Sequence, residues 1–72
     1  MTNSFELETA LRRANLSKKK TAEILGLSVG GLHKKITNKS EFKASEIAKI
    51  AEVTSLSAHQ METIFFAQNS DF

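Results

Sequence analysis

Between Arg12 and Lys43 the chain carries nine basic side chains, Arg12, Arg13, Lys18, Lys19, Lys20, Lys34, Lys35, Lys39 and Lys43, against Glu23 and Glu41, a net +7. The flanks are acidic. Glu6 and Glu8 make residues 1–11 net −2, and Glu46, Glu52, Glu62 and Asp71 against Lys49 make residues 44–72 net −3. An overall charge of +2 conceals this segregation. A basic middle between acidic ends is the electrostatic pattern of a surface that meets a polyanion or an acidic protein face. Lys18, Lys19 and Lys20 sharpen the point, because they open a helix, where positive charge opposes the macrodipole. Either a partner surface compensates that local cost, or the run is a solvated face.

Catalysis has no comparable set of residues. The one aspartate is Asp71, there is no cysteine, and no nucleophile, base and orienting group stand at a workable spacing. His33 and His59 are far apart and have no carboxylate at metal-ligand spacing, so we expect no metal site, no cofactor and no enzyme. His33 reads better as a polar contact residue. The chain lacks an apolar run of signal-peptide or membrane-span length, and its first segment is acidic, which predicts a soluble cytoplasmic protein.

The elements that must carry these side chains are all helical. Proline is absent, glycine occurs only at 26, 30 and 31, and apolar residues recur at spacings of three and four throughout. A single domain over 1–72 is expected, with helices at about 4–14, 18–25, 29–37, 44–53 and 58–67 and a frayed tail at 68–72. Asn3 with Glu6 resembles a capping box for the first helix, Ser17 caps the second and Ser28 the third. Ser57 with Gln60 forms a capping box for the fifth. Gly26 should end the second helix at positive φ, and Asn38 should stop the third. Leu11, Ala22, Leu25, Leu32, Ile36, Ile47, Ile50 and Phe65 are expected among the most buried residues. Val29 should join Leu32 and Ile36 on the inward stripe, and Phe42 should plug the core from a loop.

Ala22, Gly26 and Leu32 stand at offsets 0, 4 and 10. Two helices crossing steeply need a small residue where they touch, a residue free to turn in αL, and an apolar anchor on the second helix; these three supply them in that order. The spacing, followed by "ITNKSEFKASEIAKIAEV", resembles the Cro/CI family of phage-type helix-turn-helix regulators. The likeness covers about residues 5–66. It extends to small Cro-like phage proteins, including the modulator-of-repression type that acts with a CI repressor in a lysis–lysogeny switch. It implies an all-α, compact five-helix Cro/CI repressor-like DNA-binding domain, with the helix-turn-helix at the second and third helices, working in the cytoplasm of a bacterial host.

In that family the second helix of the motif lies in the major groove. By position, the resemblance makes Ser28, Val29, Gly30, Gly31, His33 and Lys34 the candidate reading surface, with Lys18, Lys19, Lys20, Lys35, Asn38 and Lys39 around it. Double-stranded operator DNA is the implied partner, and the alternative is a CI-type repressor protein whose own DNA surface this face would block. Gly30 and Gly31 depart from the family pattern, because a base reader places amide, hydroxyl or guanidinium groups there. Three readings stand for the pair: small residues in a first turn that mean little, bare backbone that lets the helix end approach phosphate, or room for another protein's helix. Met61, Phe65 and Phe66 with Ile64 make the last helix apolar around much of its girth. Either the tail and Phe5 cover it, or part of it is a homodimer interface.

Overall fold

In a computed structural model, residues 1–66 form five helices: α1 (Ser4–Arg13), α2 (Lys18–Leu25), α3 (Val29–Ile36), α4 (Ala44–Thr54) and α5 (Ala58–Phe65). No strand occurs among the described residues. α2 packs on α3 and α4, and α1 packs on α4 and α5, around a core of Leu7, Leu11, Ala22, Leu32, Ile36, Ile50, Ile64 and Phe65. Leu25, Ile47 and Phe42 are half-buried and line that core, so they flank it rather than sit at its centre. Phe42 meets Phe65 edge to face at 5.5 Å between centroids, the favoured aromatic geometry. No described helix is long and apolar enough to cross a membrane.

Each of the first four helices ends in the same local device. Asn15, Gly26, Asn38 and Ser55 take positive φ, and the residue after each donates its amide back five positions: Leu16 to Leu11, Leu27 to Ala22, Lys39 to Lys34, Leu56 to Ala51. This is the Schellman arrangement, which satisfies carbonyls that a helix end leaves free. At three of the four ends the following residue is a leucine packed on the core, and the next is the serine that caps the following helix. The exception is the end of α3, where Lys39 replaces the leucine and stays exposed.

Gly26 has φ +71° and no atom within 4 Å of where a Cβ would stand. Gly26→Ala should therefore lose about 1 kcal/mol or more from backbone strain alone, without a steric clash. Urea unfolding of the variant reads this loss; an unchanged midpoint would show that the turn tolerates a side chain.

Several expectations need correction. Val29 is exposed, at 49%, because it lies at the outer tip of α3, one turn beyond Leu32. The capping box at α1 is half-made: Asn3 Oδ1 accepts from the Glu6 amide, but the Asn3 amide, which Glu6 was to take, donates to the Ile64 carbonyl of α5. α3 and α5 are shorter than expected, with Thr37 and Phe66 as their C-caps, and α4 runs one residue longer, to Thr54. Thr21, which no stripe includes, is buried with its hydroxyl donating to the Ser17 carbonyl. The expected tail at 68–72 lies outside the described residues.

Candidate nucleic-acid interface

The exposed arc of α3 is built from residues at the spacings i, i+1, i+4 and i+5: Val29, Gly30, His33 and Lys34, with Thr37 continuing it past the helix end. Leu32 and Ile36 occupy the opposite side. The arc carries no carboxylate and bears the Lys34 ammonium. Ser28 caps the helix, its Oγ accepting from the Gly31 amide at 2.9 Å, and its hydroxyl proton remains free to donate outward. Thr37 directs its hydroxyl back to the His33 carbonyl.

The two glycines differ in surroundings. A Cβ at Gly31 would stand 3.1 Å from Ser28 Oγ, the atom that caps the helix, so glycine there eases a tight contact with the cap. A Cβ at Gly30 would meet nothing within 4 Å. Both lie in the first turn, at the second and third helical positions, where backbone amides lack helical partners and a glycine is cheaper than in the interior. The internal packing gives no reason for glycine at position 30.

The lysines of the basic middle separate into three groups. Lys18 pairs with Glu8 of α1 at 3.3 Å and Lys20 with Glu23 at 3.9 Å, both exposed and both pairs of the kind that contributes little and yields readily to a polyanion. Glu8 also offsets the unfavourable position of Lys18 at the start of α2. Lys19, Lys34, Lys39 and Lys43 have no carboxylate within 4.0 Å among the described residues, nor do Arg12 and Arg13. Lys35 belongs with neither set. Its Nζ lies 2.6 Å from Glu46 Oε1 of α4, with 12% and 10% of the two side chains exposed, and 6.0 Å from the centroid of the Phe42 ring. An ammonium so committed is not available to phosphate, which corrects its place among the contact residues.

Glu46 is the residue that sequence reasoning missed. Its carboxylate accepts from both Lys35 Nζ and the Lys43 amide, so it caps α4 and holds α3 at once. Burial pushes its carboxyl upward, but the Lys35 hydrogen bond, the Lys43 amide and both lysine charges outweigh this and hold it below the ordinary value. A glutamate three residues after the start of a helix was a legible capping signal. Its second partner, eleven positions back, was not.

Asn38 is also engaged elsewhere. Its Oδ1 accepts from the Thr2 amide at 2.8 Å and its Nδ2 donates to the Thr2 carbonyl at 2.9 Å, so its side-chain amide serves the N-terminus rather than an outside partner. Of the expected interface residues on α5, Phe65 is buried in the core at 4% exposure, which removes it from any oligomer surface. Met61 is half-buried and Phe66 is 56% exposed; together with Ala58, His59 and Glu62 they line a shallow groove.

Comparison with known families agrees with the helix-turn-helix. The model of bacterial regulatory proteins of the Fis family matches residues 6–38, under half of the chain, a stretch that runs through α1, α2 and α3 to the end of the candidate interface. This match supports a helix-turn-helix and says nothing of the Cro/CI family in particular. No curated protein matches the chain. No solved structure matches it.

Proposed function

We propose that the chain is a small DNA-binding transcriptional regulator of the helix-turn-helix kind, which lays the exposed arc of α3 in a major groove and sets unpaired lysines on flanking phosphates. The observation that carries this is the absence of any carboxylate on the arc, together with free Lys34 and Lys39 on and after it and Lys19 at the start of α2. His33 and Ser28 offer hydrogen-bond groups to base edges, and exposed Val29 offers apolar contact to a thymine methyl. With so few reading groups, affinity rests mainly on phosphates and falls steeply with salt. The sequence likeness to small phage regulators supports a place in a lysis–lysogeny switch inside a bacterial cell.

Gly30 favours a second reading. Bare backbone on an otherwise basic arc suits close packing by another protein's helix, so the same face could cover the DNA surface of a CI-type repressor. The groove beside Met61 and Phe66 is the surface on which a second copy of the chain would pair in either case.

Titration of operator-region duplex with the protein, alone and with the companion repressor, at two salt concentrations, separates the readings. Under the first, Lys34→Ala weakens binding to all sequences and lowers the salt slope by about 1. Gly30→Gln, which enters open space, shifts base preference by about 1 to 3 kcal/mol per new contact. Under the second, Gly30→Gln abolishes repressor binding and leaves circular dichroism unchanged. Gly31→Gln is the poorer probe, since it disturbs the Ser28 cap as well.

A further inference from the structure

The N-terminal residues do more than precede α1. Thr2 is buried at 8% exposure although Met1 beside it is 66% exposed, and both polar groups of the Thr2 backbone are taken by the Asn38 side chain. Ser4 Oγ donates to the carbonyl of Ile36, one of the groups that the end of α3 leaves without a helical partner. Asn3 donates its amide to the Ile64 carbonyl at 2.6 Å. Residues 2–4 thus form a strap from the C-terminal end of α3 to the C-terminal end of α5. On another side of the same turn of α3, Lys35 is tied to Glu46 of α4. The opposite tip of α3 is held through the turn instead, where Leu27 donates its amide to the Ala22 carbonyl and packs on the core, while Val29 is half exposed and Gly30 has open space beside it.

We infer that Thr2, Asn3 and Ser4, with Asn38, are positioning residues for the binding face of α3: they hold its C-terminal end and, with the Leu27 turn at its N-terminal end, fix its angle to α2. This rests on the proposed reading that α3 is the binding helix. The core side chains Leu32 and Ile36 anchor α3 against translation but are compatible with rocking about their contact; the strap opposes that rocking, because it grips the Ile36 carbonyl and the Asn38 side chain from outside the core.

The test is the double variant Asn38→Gly with Ser4→Ala. Asn38 has φ +68°, so glycine keeps the backbone unstrained and removes only the side-chain amide. Native-state amide exchange should quicken by about tenfold in residues 33–39 relative to residues 21–25 of α2, because a local tie and not the whole fold is loosened. Affinity for a mixed-sequence duplex of about 24 base pairs in roughly 50 mM salt should fall by about fivefold or more, at a temperature where circular dichroism shows the variant fully folded. Ser4→Thr, which retains the hydroxyl, should behave as wild type. Unchanged affinity of the folded variant, or exchange that quickens equally in α2 and α3, would overturn the inference and leave the strap as a contributor to stability alone. If the unaltered protein binds no duplex, the DNA reading fails by itself, and the exchange comparison decides the strap independently.

Discussion

Leu32→Ala is expected to lose about 2 to 5 kcal/mol of folding stability, the range for deleting a fully buried leucine side chain. Leu32 has no exposed surface and stands where α3 leans on α2, so its removal leaves a cavity at the contact that defines the helix-turn-helix. A domain of 72 residues has roughly 4 to 11 kcal/mol in total, which makes this single change a large fraction of the whole. Few residues are available to close the cavity, because α3 spans eight residues and contributes one other fully buried side chain, Ile36. Urea unfolding followed by circular dichroism measures the loss. A variant within a few tenths of a kcal/mol of wild type would show that α3 is not seated through Leu32. Leu32→Met, which nearly conserves volume, should cost less than about 1.5 kcal/mol.

Removing the charge of Glu46 is expected to rank next. Glu46→Gln keeps an acceptor for the Lys43 amide but leaves the Lys35 ammonium among the Phe42 ring and the α3–α4 contact without its counter-charge, at a cost of about 3 kcal/mol. Lys35 can relieve part of this by extending its head group to water along its flexible stem, so the loss should sit at the low end of the range for a broken buried pair. Replacing both partners by apolar residues of similar size should recover most of it. The pair also carries a pH signature. The folded carboxyl titrates below its ordinary value of 4.5, so its contribution is fully present above that value and is lost as pH falls through the lower, folded one. Thermal melts of the wild type should therefore decline more steeply in that acid window than melts of Glu46→Gln. Parallel curves would mean that the pair does not distinguish the protonation states.

The helices were legible because their boundaries are local chemistry. Ser17, Ser28 and Ser57 each accept from the amide three residues on, within the reach of their own side chains, and Gly26 turns back at φ +71°, which its residue type permits without strain. The repeated grammar of a left-handed residue, then leucine, then serine, at 15–17, 26–28 and 55–57, marks three helix junctions outright, and at each the leucine packs on the core. The candidate site was legible only as an outline. Spacing places His33 and Lys34 on one face of a helix and Lys35 off it, but it does not foretell that Glu46 sequesters Lys35.

From the sequence alone followed the all-helical class, the five helices, the turn at Gly26 and the basic middle, since each depends on contacts within about one helical turn or on composition. Tertiary structure alone decided which polar groups of that middle are free. Asn38 meets Thr2 across 36 positions, Ser4 meets Ile36 across 32 and Lys35 meets Glu46 across 11. A hydrogen bond needs its two atoms within about 3 Å in a fixed direction, and for residues so far apart in the chain that meeting is set by how helices cross, which periodicity does not encode.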